Sequence, residues 1–220
     1  MPRVRVSSIV AALAVVACAT PVSHAQQPPA SPAPVVRPLA NLAAQRIIVA
    51  PVFAMAHGDP LGWAAGIAEP RAMLRQLDSA IVADFDARGL GGTWFFAPDL
   101  EKSYRLNSTY AANPYLLAET PLVGARIEVG HFYGDPLASQ LRTMIAMQDG
   151  ARYVMLPVDL RFEKMADGTM ERAVLRLVLV DARTTEFMWI HEVQSDPAAT
   201  FGPAVLASLA SHFADLVISP

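Results

Sequence analysis

The sequence predicts one α/β domain: a two-layer sandwich with helices packed on a mixed, largely antiparallel sheet of about five strands. Three observations carry this. Residues 149–196 read as strand, turn, long strand, tight turn and strand. Before that meander, residues 45–97 read as strand, helix and strand. Apolar residues at spacings of three and four mark amphipathic helices on both sides of the meander.

The folded region is expected to start near Ala44, with Gln45–Phe53 (QRIIVAPVF) as a buried strand. Residues 55–69 hold Gly58, Asp59-Pro60, Gly62 and Gly66 and read as a loop carrying Trp63. Arg71–Arg88 follows as a helix: Pro70 pre-sets its entry, and Leu74, Leu77, Ile81 and Phe85 share one face. Gly89 stops it. The triplet Gly89, Gly91, Gly92 is no phosphate cradle, because it follows a helix and precedes a strand, the reverse of what an anion site needs. Thr93–Ala97 (TWFFA) is a short strand and Pro98–Asn107 a helix with Leu100 and Tyr104 inward. Asn107–His131 is broken by Pro114, Pro121, Gly124 and Gly130, so a broken helix around 114–118 and otherwise irregular chain are expected. Asp135 and Pro136 then serve as cap and first turn of a helix whose stripe is Leu137, Leu141, Met144 and Ile145. Gly150 ends it.

In the meander, Tyr153–Phe162 is an apolar strand interrupted by Pro157, Asp159 and Arg161, and Asp167-Gly168 marks the first turn. Ala173–Val180 (AVLRLVLV) is so apolar that both its faces must be covered, which places it inside the sheet. The chain turns at Asp181–Thr185 and returns through Phe187, Met188, Trp189 and Ile190. Pro203–Val217 closes the domain as a helix with Leu206, Leu209, Phe213 and Leu216 on one side.

Gly150, Ala151, Tyr153 and Val154, with Asp181, Ala182, Arg183, Thr184, Glu186 and Trp189, form a pattern that resembles the TolB N-terminal-like domains. It is also similar to envelope lipoproteins of the CsgG and LpoB type. The resemblance covers about a quarter of the chain beyond the leader and implies a domain that binds partners rather than one that catalyses. One position departs from it. Thr185 stands where the family carries a hairpin glycine, and a β-branched residue tolerates positive φ poorly, so a longer or differently shaped turn is expected.

Residues 1–25 read as a signal peptide: Arg3 and Arg5 precede an apolar run from Ile9 to Ala19 that is too short to span a bilayer. Two processing readings stand. Ser23-His24-Ala25 fits cleavage before Gln26, whereas Val15-Val16-Ala17-Cys18 fits a lipoprotein box with Cys18 as the candidate lipidation site. The first places the protein free in the periplasm. The second anchors it at the outer membrane, and membrane association is expected only in that case. Residues 26–43 are a Pro- and Ala-rich linker, and 44–220 the domain. Cys18 is the one cysteine, so the exported domain contains neither a disulfide nor a thiol nucleophile.

Without Arg3 and Arg5 the chain keeps 15 basic against 20 acidic residues, with no basic run. That balance argues against nucleic acid as a partner. There is no P-loop, G-x-G-x-x-G, H-E-x-x-H or G-x-S-x-G, and no cofactor is expected. His57 with Asp59, and His131 with Asp135, lack the third ligand a catalytic zinc takes. His191 reads as a sheet residue beside Trp189, and Ser139, Ser208 and Ser211 lie in helices without a nucleophile elbow. Trp63, Tyr110, Tyr115, Phe132 and Tyr133 cluster in the two irregular regions. They either cap the ends of the core or form an aromatic surface for a partner. The expectation is an exported, non-enzymatic binding or assembly module acting on an envelope protein. The alternative is a periplasmic hydrolase or small-ligand-binding enzyme with its site in loops 55–70 and 107–135.

Overall fold

The computed structural model describes residues 37–56, 62–148, 150–166 and 168–219. Its frame is a six-stranded sheet. Strands β1 (Ile47–Val49), β2 (Ala54–Met55), β3 (Trp94–Phe95), β4 (Tyr153–Lys164), β5 (Glu171–Asp181) and β6 (Glu186–Gln194) lie in the order β3-β1-β4-β5-β6, and β2 continues beside β4. β1 is parallel to both β3 and β4, whereas β4, β5 and β6 form the antiparallel meander. The predicted α/β sandwich is therefore the observed one. The helices are α1 (Trp63–Gly66), α2 (Pro70–Ala87), α3 (Ala97–Leu106), α4 (Leu137–Met147) and α5 (Pro203–Asp215).

Each face of the sheet buries its own apolar set, because side chains alternate along a strand. On one face α2 and α5 lie together over Ile47, Val49, Met155, Leu175 and Leu177. Phe85 is the hub there, with ring centroids 5.1 Å from Trp94, 5.3 Å from Phe96 and 5.1 Å from Phe213. On the other face α4 covers Val154, Leu156, Val178 and Val180, helped by Leu100, Leu117 and Leu122. β5 is covered on both sides, as its composition predicts.

The predicted strand 45–53 is shorter than its apolar run. Pro51 lacks an N–H, and the chain leaves the ladder between β1 and β2, while Ala50 and Phe53 still donate to Met155 and Pro157 carbonyls at 2.9 and 3.0 Å. Opposite this break β4 has a bulge between Pro157 and Asp159. The bulge exchanges faces, so Leu160 and Phe162 join the α2/α5 core that Met155 faces.

Four further expectations need correction. The fold begins before Ala44: Leu39 and Leu42 are buried, and Leu39 donates its N–H to the Leu216 carbonyl at 3.0 Å. The loop at 55–69 contains one helical turn, α1, because Trp63 is drawn into the core. Pro136 rather than Asp135 holds the cap position of α4; the Asp135 carboxylate reaches in from one residue further out to accept the Ser139 N–H at 3.0 Å. Thr185 does not enlarge its turn, for it takes φ 65° itself. Its N–H donates to the Asp181 carbonyl at 2.8 Å and its carbonyl accepts from Tyr133 at 2.9 Å. The Asp181 carboxylate also accepts the Arg183 and Thr184 N–H groups. These bonds hold a left-handed threonine that its own torsional preference opposes.

Candidate functional site

A concavity lies along α2, and the helix builds one wall of it. Arg71, Leu74, Arg75 and Asp78 stand at spacings of three and four, so they share a face. The floor is Pro51–Phe53, where the chain leaves the sheet after β1, and the far wall is Asn113–Leu117. The cleft encloses about 610 Å³. Its place follows from topology. The chain departs β1 to form β3 on one side and later β4 on the other, and in open sheets ligands sit beyond strand ends at such divergences.

Asp78 is the chemically distinctive group. It is 9% exposed, on the floor side of the helix. Its Oδ1 accepts the Val52 N–H at 2.8 Å, the donor freed where Pro51 interrupts the strand. Burial pushes the carboxyl up to about 7, against the opposing pull of the Val52 N–H and the Arg75 charge. Near neutral pH it is therefore divided between a hydrogen-bond donor and an acceptor. Arg71 and Arg75 are exposed at the mouth and make no side-chain hydrogen bond or ion pair among the described residues. Tyr115 stands on the far wall, its N–H held by Asn113 Oδ1 at 3.0 Å. Burial and then the negative fields of Asp78 and Glu101 raise its phenol, which stays protonated.

The five aromatic residues singled out in the sequence separate. Trp63 is core, with rings of Phe162 and Phe201 at 5.7 and 5.6 Å. Tyr133 is also buried, 5.5 Å from the Phe187 ring, and burial raises its hydroxyl far above the ordinary phenol range. Both rings are buried, so neither presents an aromatic surface. Tyr110 and Phe132 are exposed, and Tyr115 lines the cleft. Phe132 belongs to a different place: residues 130–133 pair with the start of β6, beside an open groove lined by Pro121, Ile127 and His131.

The polar candidates have ordinary partners. His131 lies at the surface, 3.4 Å from Glu128, and His191 stacks on Trp189 at 5.2 Å. Ser139 is bonded to Asp135, Ser208 to Asp196 and Ser211 to Arg88. Cys18, His57 and Asp59 lie outside the described residues. Among the described residues no three His, Cys, Asp or Glu side chains gather into a metal-binding group.

Two buried acids escaped the sequence reading. Asp78 carried a signal, an acidic residue inside the apolar stripe between Leu74 and Ile81. Glu119 carried none, since it lies in aperiodic chain; it is 1% exposed, its Oε2 has no hydrogen-bond partner among the described residues, and burial raises its carboxyl well above the usual range.

No protein-family model matches the chain, and no curated protein matches it. Solved structures do. The PelC dodecamer from Paraburkholderia phytofirmans is 10% identical over 81% of this chain and 91% of that chain, with a TM-score of 0.38. The NMR structure of E. coli LpoB is 17% identical over 90% of this chain and 88% of that one, with a TM-score of 0.35. The LpoB C-terminal domain from Escherichia coli is 16% identical over 68% and 81%, with a TM-score of 0.29.

Proposed function

We propose that this protein is an exported, non-enzymatic binding or assembly module of the bacterial envelope, acting in the periplasm on an envelope protein. The observation that carries the proposal is a set of large apolar side chains left in water at the end of α3 and on the chain that follows it, of which Leu116 lines the α2 cleft. Leu106, Tyr110 and Leu116 are 75%, 76% and 71% exposed. They fall on the end of α3, the turn after it and the 3-10 helix Pro114–Leu116 that packs on α3. Large apolar groups left exposed on neighbouring elements are what a partner covers, and tyrosine is favoured at such places. The leader sequence supports export, and the hairpin resemblance supports partner binding over catalysis.

The test is capture from envelope extracts. Tyr110→Ser/Leu116→Ser should lose a partner that the wild type retains, with the melting temperature unchanged because both side chains are exposed. His131→Ala should capture normally. Normal capture by the double variant, together with a loss of function on replacing His131 in a folded protein, would replace this proposal by the enzyme reading.

A further inference from the structure

The cleft beside α2 contains polar groups that folding leaves available. Val52 occupies only Oδ1 of Asp78, and Oδ2 makes no hydrogen bond among the described residues. Arg71 and Arg75 present two guanidinium groups one helical turn apart at the mouth, neither in an ion pair among the described residues. An arginine fork matches a carboxylate with two parallel hydrogen bonds, which makes such a pair selective as well as attractive. Val52, Leu74 and Leu117 add apolar surface to the same cleft.

We propose that the cleft binds an acidic peptide segment of the partner, its carboxylate held by Arg71 and Arg75 and one of its N–H groups donated to Asp78. This names the partner chemistry of the surface proposed above and rests on that reading. Charge complementarity selects the acid: two cations stand at the mouth against one recessed carboxyl. A bare phosphate could meet the arginines but offers neither a backbone N–H for Asp78 nor apolar groups for the rest of the cleft. A peptide supplies both groups, since its backbone N–H recurs at every residue and its side chains supply the apolar filling. The size agrees, because about 610 Å³ exceeds what one carboxylate needs and lies in the ordinary range of ligand clefts. The mouth also runs on to Tyr115 and Leu116, so a bound segment would have a continuous path onto the exposed apolar side chains.

The experiment is an NMR titration of the full-length, 15N-labelled protein with acetyl-Leu-Glu-Leu-Glu-amide and with acetyl-Leu-Gln-Leu-Gln-amide. The Val52 amide reports directly, because it donates to Asp78. The acidic peptide should shift Val52 and Leu117 saturably. Its affinity should fall by about tenfold or more in Arg71→Ala/Arg75→Ala, and the glutamine peptide should bind wild type as weakly as that. Both arginines are exposed, so the variant keeps its fold. Equal affinity for the two peptides, equal affinity of the two proteins, or no saturable Val52 shift at millimolar peptide overturns the assignment. Envelope capture separates it from the broader reading. A partner still held by the arginine variant but lost by Tyr110→Ser/Leu116→Ser overturns the acidic segment and leaves the docking surface standing.

Discussion

Asp78 makes the stability of this protein depend on pH in a direction opposite to most carboxylates. Its folded-state value is raised from 3.8 to about 7. The native state therefore binds its proton more tightly than the unfolded chain does. The stability this gives is fully present below pH 3.8, declines as pH rises toward 7 and is gone above it. Asp78→Asn keeps an acceptor for the Val52 N–H and removes the ionisation. The variant should be more stable than wild type at pH 8 and nearly equal to it at pH 4, by thermal melts at both values. A constant difference across that range would show that Asp78 does not titrate there. Arginine-paired acids such as Glu163 and Glu192 are lowered and lose stability on acidification, but they do so in both proteins and cancel. Thr185 supplies a second residue-scale test. Its φ of 65° costs a β-branched residue about 1–2 kcal/mol, which glycine avoids. Thr185→Gly should raise stability by about 0.5–1 kcal/mol in urea denaturation. Destabilisation would mean that the buried Thr185 side chain contributes more through packing than its backbone loses.

At the scale of elements, the α2/α5 layer is clamped by one side chain just beyond α2. Arg88 reaches Asp84 at 2.9 Å and Asp215 at 2.6 Å, and donates to the Ser211 and Ile218 carbonyls near the end of α5. A cation here also meets the negative end of the α5 dipole. Its side chain is 6% exposed, so its removal leaves two partly buried carboxylates without their counter-charge. Arg88→Ala should cost about 1–3 kcal/mol, because Asp84 and Asp215 keep 28% and 38% of their side chains in water. Arg88→Lys should recover only part of that, because an ammonium cannot fork to all these acceptors. A loss below 1 kcal/mol by denaturant titration would show the clamp to be dispensable. The sheet has an equivalent test in Leu177, which is wholly buried in β5. Leu177→Asp buries an unpaired charge at a cost of several kcal/mol against a typical total of about 5–15, so the variant should not accumulate folded. A soluble Leu177→Asp protein with an unchanged melting temperature would contradict the covered position of β5.

For the whole molecule the open choice lies at the N-terminus, since Cys18 and the two processing readings belong to residues outside those described. Cleavage before Gln26 should yield a protein whose mass begins at Gln26 and whose fractionation Cys18→Ser leaves unchanged. A lipid-bearing N-terminus at Cys18, with release from the membrane fraction on Cys18→Ser, would instead establish an anchor. The proposed binding surface is independent of that outcome.

Periodicity determined the elements. The stripe Leu74, Leu77, Ile81, Phe85 is wholly buried, and AVLRLVLV is covered on both faces, because burial of one face follows directly from the spacing of side chains along a helix or strand. The strand–helix–strand opening and the antiparallel meander were legible for the same reason. What needed the tertiary structure was everything set by partners distant in sequence. Trp63 and Tyr133 looked like Tyr110 and Phe132 in the sequence, but Phe162, Phe201 and Phe187 enclose the first pair and nothing encloses the second. Thr185 holds a left-handed turn because Tyr133 and Asp181 bond it there, against its local preference. Asp78 was visible as a charge in an apolar stripe, yet its character comes from burial and from Val52, a residue 26 positions away that donates to it just after the Pro51 break in the strand. Local pattern reports which face is buried; the environment of a polar group is made by chain that arrives from elsewhere.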